Sequence, residues 1–145
     1  MNKRVKKKWI NALRSGKYKK TTGYLHTRLI KIKNKGKSNE KKEEIPMFCS
    51  LGVLCDLYIK EQNKKAGSKN IVWDEIDTED NSLIFGINEK GDSLPKEVIE
   101  WAELEDETGS FTYLKSGDTT DIVELNDGAH GKSFKQIASI IEKNL

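Results

Sequence analysis

The sequence is poor in the residues from which disulfides and metal sites are built. Its 145 residues include two cysteines and two histidines. Cys49 and Cys55, six positions apart in one predicted helix, would lie about 9 Å apart along the axis, too far for a disulfide. The chain has no CxxC or HxxxH pair, and zinc sites need three or four ligands with such local spacing. We therefore expect reduced thiols, no metal and no cofactor.

Long hydrophobic runs are also missing. No apolar stretch approaches the ~20 residues that a membrane-spanning helix needs. The basic N-terminal stretch is not followed by the apolar segment of a signal peptide. We expect a cytoplasmic protein without a membrane partner, folded as a single domain over residues 1–145.

Charge is abundant and unevenly distributed. Residues 1–42 contain 16 Lys or Arg and one acid, Glu40, whereas residues 43–145 contain 10 Lys or Arg and 22 acids. This asymmetry indicates either a basic face for an anionic partner or attraction between the two halves of the fold. Within the basic third, residues 33–44 are a Lys, Asn, Glu and Gly stretch, which predicts a mobile loop.

The most apolar stretch is 48–59, in which Asp56 is the only charged residue. Apolar residues at helical spacing predict a buried helix over about 50–61. Helices are also predicted at 2–15, with Val5, Trp9, Ala12 and Leu13 on one apolar face, and from Pro95 to Leu104, with Ser93 as the candidate N-cap. A last helix is predicted from Ser133, where Ser133-x-x-Gln136 has the form of a capping box. Its predicted core face is Phe134, Ile137, Ala138, Ile140, Ile141 and Leu145.

Short strands are predicted within 18–32, 71–73, 83–87 and 111–114. A turn or short loop is predicted over 74–82, and a single turn or short strand over 121–125. The expected fold is α+β: a compact domain with about four helices around the central helix and a small, mostly antiparallel sheet.

Several landmarks follow one another along the chain: Trp9-x-x-Ala12-Leu13-Arg14-Ser15-Gly16-x-Tyr18, Phe48-Cys49-Ser50-Leu51-Gly52-Val53-Leu54-Cys55-Asp56-Leu57, Leu94-Pro95, Trp101-Ala102, Leu125-Asn126-Asp127 and Ser133-Phe134-x-x-Ile137-Ala138. In order and spacing they resemble a family of small uncharacterised proteins encoded mostly by tailed bacteriophages. The resemblance implies a phage accessory protein acting in the host cytoplasm. Lys20 stands where that family usually has Gln, Ser50 where it has a second Cys, and the basic stretch 33–44 resembles an addition.

Cys49 is the candidate nucleophile. It precedes the central helix, where backbone N–H groups and the helix dipole lower the pKa of a thiol. His26 or His130 could act as its base, with Asn126 or Asp127 orienting the imidazole. The alternative is that Cys49 is a small buried hydrophobic residue, as free cysteines commonly are. Cys55, inside the helix, is expected in the core.

The turn that leads into the last helix is the candidate anion site. Gly128-Ala129-His130-Gly131-Lys132-Ser133 ends like a phosphate-binding loop, but position 126 is Asn where that motif needs Gly. A glycine-rich turn with Lys132 and Ser133 at a helix N-terminus can still bind an anion, or can simply cap the helix. Asn126-Asp127-Gly128 is a turn pattern whose side chains either bind a ligand or hold the turn.

Aromatic residues are interleaved with the cations of the N-terminal third. Lys20 and Arg28 could reach the same anion, and Tyr24 or Trp9 could stack on a base. Phosphate contacts and stacking would also allow non-specific nucleic-acid binding. No helix-turn-helix, RRM or zinc-finger pattern is present.

The expected function is that of a non-enzymatic phage accessory protein that interferes with its host by binding and sequestering a small anionic, nucleotide-type immune signal. One alternative is a Cys49-dependent hydrolase or transferase. Another is an accessory protein that binds nucleic acid or a host protein. Self-association into a homo-oligomer is left open.

Overall fold

The computed structural model describes residues 1–67, 70–76 and 84–145. Within these ranges the chain forms five helices and two sheets, which confirms the α+β class. The elements are α1 (Lys3–Arg14), β1 (Lys19–Lys20), β2 (His26–Lys33), β3 (Lys41–Phe48), α2 (Ser50–Gln62), β4 (Asp74–Ile76), β5 (Ile84–Gly86), α3 (Lys96–Ala102), β6 (Phe111–Thr112), β7 (Thr119–Thr120), α4 (Ile122–Asp127) and α5 (Phe134–Asn144). None of the helices in the described ranges could span a membrane.

Helix α2 lies at the centre of the domain, as its sequence predicts. Eight of its thirteen residues are buried, from Ser50 through Asp56 and at Ile59. The helix is apolar on several sides because other helices pack around it, and α1, α3 and α4 all contact it. Gly52 faces the Leu25 carbonyl so closely that a side-chain carbon at position 52 would overlap it.

Helices α1 and α5 pack against each other beside α2. The face of α1 predicted to be apolar is buried at Val5, Trp9 and Leu13. The Trp9 indole is fully buried, and its Nε1 donates to the Ser50 carbonyl at 2.9 Å. This hydrogen bond fixes α1 against the first turn of α2.

The larger sheet has the strand order β1-β3-β2-β5-β4. Only the β1–β3 pair is parallel, so the sheet is mostly antiparallel, as predicted. In the described part of the chain, strand β5 pairs with β2 at His26 and Thr27, and the β2–β3 hairpin continues beyond those two pairs. We call residues 28–46 the arm.

The arm corrects the prediction of a loop over 33–44. Lys33 is the last residue of β2, and residues 41–44 lie in β3, paired in register from Lys33↔Lys41 to Arg28↔Pro46. The connection is thus confined to 34–40, where Asn34 and Gly36 adopt positive φ. A Lys-rich composition does not distinguish a loop from an exposed strand, because lysine is also common on exposed edge strands. The composition therefore did not predict the hairpin.

Three other predicted boundaries are wrong in detail. The strand predicted at 71–73 lies at Asp74–Ile76, inside a segment predicted as a turn; residues 77–83 lie outside the described part. Residues 121–125, predicted as a single turn or short strand, belong to α4, which has Asp121 as its N-cap and extends to Asp127. Helix α3 begins after Pro95, so Ser93 does not cap it.

Candidate functional site

Asn126 ties the end of α4 to two distant segments. It is 1% exposed. Its Oδ1 accepts from the Ser50 N–H at 3.1 Å and the Ser50 hydroxyl at 3.2 Å. Its Nδ2 donates to the Thr21 carbonyl at 3.0 Å and to the adjacent Asp127 carboxylate. The carboxamide is therefore fully used in holding the N-terminus of α2 and the strand β1 region together.

Asp127 and Lys20 complete this junction. The Asp127 carboxylate accepts from the Gly23 N–H at 2.8 Å, and the Lys20 ammonium donates to the Asn126 carbonyl at 2.7 Å. Lys20 thus neutralises the negative end of α4. The structure brings Lys20, Asn126 and Asp127 together, and their contacts are with the chain itself. A ligand-binding role for them stays a prediction.

Cys49 is the N-cap of α2, and its environment contradicts an activated thiol. Its Sγ accepts from the Gly52 N–H at 3.3 Å. The side chain is buried, and this burial raises the pKa of the thiol to about 12, with the Asp127 charge acting in the same direction. The prediction of a lowered pKa is wrong because desolvation outweighs the helix N-terminus. Cys55 is fully buried and free.

The two imidazoles do not complete a catalytic pair with Cys49. His26 is buried, stacks on Phe48 at a centroid distance of 4.3 Å and donates through Nδ1 to the Met47 carbonyl. Burial lowers its pKa. In the described part of the chain, no hydrogen bond joins Cys49 to His26 or His130. The described residues also contain no group of three or more potential metal ligands.

The turn before α5 forms the predicted capping box. The Ser133 N–H donates to Gln136 Oε1 at 2.9 Å, and the Gln136 N–H donates to the Ser133 hydroxyl. The Lys132 N–H donates to the Leu125 carbonyl at 2.8 Å. These backbone donors are already used, so an anion site built on the Ser133 N–H is wrong. The Lys132 ammonium is left at the surface.

The aromatic and basic residues predicted to join this site are dispersed. Trp9 is fully buried and cannot stack on a ligand. Arg28 pairs with Glu44 at 2.8 Å and lies 4.3 Å from the centroid of the Phe85 ring. Tyr24 is 42% exposed, but the hollow beside it is lined by Glu89 and Asp92. Neither Arg28 nor Tyr24 contacts Lys132 in the described structure.

Lys132 instead borders a groove along the outer side of α5, which sequence reasoning missed. The groove consists of two adjoining depressions of about 590 and 450 Å³ that share Ser139 and Ile140. The larger is lined by Tyr113, Leu114, Lys115, Ser139, Ile140, Lys143 and Asn144, and the smaller by Lys132, Lys135, Gln136, Ser139 and Ile140. We call this surface the α5 groove.

The hairpin that follows β6 forms one wall of the α5 groove. The Leu114 N–H donates to Asn144 Oδ1 at 3.2 Å, and Asn144 Nδ2 donates to the Ile140 carbonyl at 2.8 Å. Asn144 therefore holds the hairpin against the last turn of α5. Leu114 itself is 77% exposed, so an apolar side chain stands at the mouth of the depression.

The charged residues lining the α5 groove are all lysines: Lys115, Lys132, Lys135 and Lys143. None of these four ammonium groups makes a salt bridge within the described residues, and no acid is among the lining residues. Such a concentration of free cations around apolar surface creates a positive potential. Ile140, predicted in the core, is only partly buried here, whereas Ile137 and Ile141 are buried. Ile140 lies to one side of the stripe formed by Ile137 and Ile141. This position in the sequence could have indicated that Ile140 lines a surface.

Comparison with curated proteins and with solved structures finds no match. The sequence model of one family matches residues 1–29 and 33–145, nearly the whole chain. The interruption at 30–32 falls in the arm. The chain belongs to this family, which is described as Domain of unknown function (DUF8296).

Proposed function

We propose that the protein binds a small anionic, nucleotide-type molecule in the α5 groove and holds it without chemical change. The observation that carries this proposal is the lining of the groove: four lysines that make no salt bridge within the described residues border apolar surface, and no acid is among the lining residues. The depression of about 590 Å³ lies within the ~300–1,000 Å³ typical of small-molecule sites.

The two parts of the groove suit the two parts of a nucleotide. Tyr113, Leu114 and Ile140 offer aromatic and aliphatic surface against which a base can pack. Lys132, just before the N-cap of α5, and Lys135, in the first turn of α5, line the smaller depression and offer ammonium groups to phosphate oxygens. The ligand would lie across Ser139 and Ile140, which both depressions share.

Binding rather than catalysis is supported by the chemistry of the groove. The residues that line it supply cations, hydroxyls and amides, whereas Cys49 is buried beside α2 with a raised pKa. In the phage setting that the sequence resemblance implies, sequestration of a nucleotide signal in the host cytoplasm would be the biological role. A host protein is the alternative ligand for the same surface.

Thermal-shift titration with mononucleotides and cyclic dinucleotides tests the proposal. A ligand that binds only the folded state raises the melting temperature as RT ln(1 + [L]/Kd) increases. The double variant Lys135→Ala/Lys143→Ala should show a smaller shift in melting temperature, corresponding to an apparent Kd at least tenfold higher. Lys35→Ala/Lys37→Ala, at the tip of the arm, is the matched control of equal charge and should leave the shift unchanged.

Two further measurements separate this proposal from its alternatives. Mass spectrometry after denaturation should recover the nucleotide intact; a converted product would favour an enzyme. Inorganic phosphate at the same concentration should give a much smaller shift, because it cannot use the apolar wall. The proposal fails if no nucleotide shifts the melting temperature, or if both double variants respond alike.

A further inference from the structure

Helix α1 carries a second basic depression, which lies next to the α5 groove. Its volume is about 320 Å³, and its polar lining consists of Lys3, Lys6, Lys7, Asn11 and Arg14 from α1 with Glu142 from α5. We call it the α1 groove. The Arg14 guanidinium joins the two surfaces, because its Nη2 donates at 3.3 Å to the hydroxyl of Ser139, which lines both depressions of the α5 groove.

The α1 groove is positively charged although an acid contributes to its lining. The Glu142 carboxylate accepts from the Arg14 guanidinium at 2.7 and 3.3 Å, so its charge is already neutralised. The Lys6 ammonium donates to the Glu142 carbonyl at 3.1 Å. Lys3 and Lys7 are exposed and make no salt bridge within the described residues. These two lysines are therefore available to an external anion.

The basic surface formed by the two grooves is longer than one nucleotide. Lys135, Ser139 and Lys143 recur every four residues and form one stripe along α5. At 1.5 Å per residue, the two lysines lie about 12 Å apart along the helix axis. Helix α1 packs beside α5, and the axes of packed helices are about 8–10 Å apart. Successive nucleotides of a stacked strand are separated by only about 3.4 Å along its axis, so a single nucleotide would leave much of this surface unoccupied.

The apolar wall of the α5 groove suits the faces of unpaired bases. The Tyr113 ring is half-buried, and Phe111 packs edge-on against it at a centroid distance of 5.3 Å. Leu114 beside it is 77% exposed. Aromatic side chains that stack on bases, combined with a basic track for the backbone, are typical of proteins that bind single strands. A duplex presents only base edges in its grooves and cannot use this wall in the same way.

We propose that the ligand is a short single-stranded oligonucleotide, which occupies the α5 groove with one end and the α1 groove with the other. This inference rests on nucleotide binding in the α5 groove, where a base packs against Tyr113 and the first phosphates contact the lysines of α5. The chain then crosses α5 at Ser139, beside Arg14. Its remaining phosphates reach Lys3 and Lys7.

Fluorescence anisotropy with labelled oligothymidylates of two, four and eight nucleotides tests this inference over 50–200 mM salt. Affinity should rise at least tenfold from the dinucleotide to the octanucleotide, because only the longer chain reaches both grooves. Lys3→Ala/Lys7→Ala should lose most of this gain. For the octanucleotide it should also reduce the log–log salt slope by about 1.4, at about 0.7 for each single-strand phosphate contact. With a mononucleotide, the same variant should keep the thermal shift of the wild type.

The matched control is Lys35→Ala/Lys37→Ala, which removes equal charge from the tip of the arm and should bind all three oligonucleotides like the wild type. Circular dichroism and melting temperature verify the fold of each variant. Lys3 and Lys7 are exposed and alanine favours a helix, so the α1 variant should not lose stability.

The outcomes separate this inference from nucleotide binding as such. Equal affinity for the three lengths, with a mononucleotide shift that Lys135→Ala/Lys143→Ala weakens, overturns the inference and leaves nucleotide binding in the α5 groove intact. No binding of any nucleotide overturns both. The inference also fails if the control loses as much affinity as Lys3→Ala/Lys7→Ala, or if a DNA duplex of eight base pairs binds more tightly than the octanucleotide. Phosphatidylserine vesicles that displace the octanucleotide would identify a membrane surface as the partner instead.

Discussion

Helix α2 and the arm use the same aliphatic side chains in opposite surroundings. Leu51, Leu54 and Ile59 are at most 7% exposed, whereas Leu29 and Ile30 are each 46% exposed. The difference is the number of segments that pack on each element. Helices α1, α3 and α4 surround α2, whereas beyond Thr27 the two strands of the arm pair, among the described residues, only with each other. Burial is decided by distant parts of the chain, and a leucine in the sequence does not by itself indicate a core.

The largest effect should come from Gly52→Ala. A side-chain carbon there would overlap the Leu25 carbonyl, so the segment that precedes β2 and the helix would have to separate. We expect a loss of about 3 kcal/mol or more in the free energy of unfolding, at the upper end for overpacked cores. Urea denaturation measures it. Gly36→Ala in the arm, where the only cost is positive φ, should lose about 1 kcal/mol. Equal losses would contradict the close packing of α2.

Leu54→Ala and Leu29→Ala compare identical substitutions in the two regions. Leu54 is fully buried, and its truncation should cost about 2–5 kcal/mol through lost burial and a cavity. Leu29→Ala should cost about 0.5 kcal/mol or less. Chemical denaturation of both variants gives the difference. A cost for Leu54→Ala below about 1 kcal/mol would show that α2 is not at the centre of the core.

Glu61, at the end of α2, predicts a larger pH effect than the arm should show, where Lys33 lowers the pKa of the exposed Glu43. Arg4 donates to its carboxylate at 2.6 and 2.8 Å, and Lys8 at 2.6 Å. These hydrogen bonds, those of Arg4 foremost, lower the pKa of Glu61 to about 2. The folded state holds the proton less tightly than the unfolded state. The stabilisation is therefore present above the ordinary glutamate pKa and lost as the pH falls toward 2.

Glu61→Gln should accordingly cost about 1 kcal/mol at pH 7, and this difference should shrink between about pH 4.5 and 2. Melting temperatures at several pH values measure it. The control is Glu43→Gln in the arm, where the partner Lys33 is 62% exposed; we expect a change of about 0.5 kcal/mol or less at pH 7. A constant cost of Glu61→Gln down to pH 2 would contradict the lowered pKa.

Thiol labelling sharpens the comparison without altering stability. Burial raises the pKa of Cys49 to about 12, and Cys55 is fully buried. Native wild-type protein should therefore resist iodoacetamide near neutral pH and react only after denaturation. Ile32→Cys in the arm should react readily in the folded state. Rapid labelling of native Cys49 would restore the enzyme alternative. Mass spectrometry identifies the labelled residue.

Sequence patterns predicted what depends on neighbouring residues. The spacing of apolar residues predicted α1 and α2, and Ser133-x-x-Gln136 predicted the start of α5. Both rest on contacts within one or two helical turns. Asn126 was also selected, although its partners Thr21 and Ser50 could not be identified from sequence.

Features made by distant segments escaped prediction. The arm requires the pairing of 28–33 with 41–46, and nothing in the Lys-rich composition fixes that register. The α5 groove joins Tyr113 and Leu114 to Ile140, which are separated by a hairpin and a helix. Helix α4 is only six residues long, so its Asn126-Asp127-Gly128 end had the composition of a turn.

The hydrogen bonds of Asn126 have a consequence for the order in which the chain folds. They join residues 76 and 105 positions apart, whereas the arm pairs residues 8 to 18 positions apart. Local hairpins form in about 1–10 μs, but long loops must close before distant contacts stabilise anything. The arm can therefore assemble early and alone. The Ser50 N–H and hydroxyl gain their Asn126 partner only when segments 76 positions apart have met. We therefore expect this junction to form after the arm.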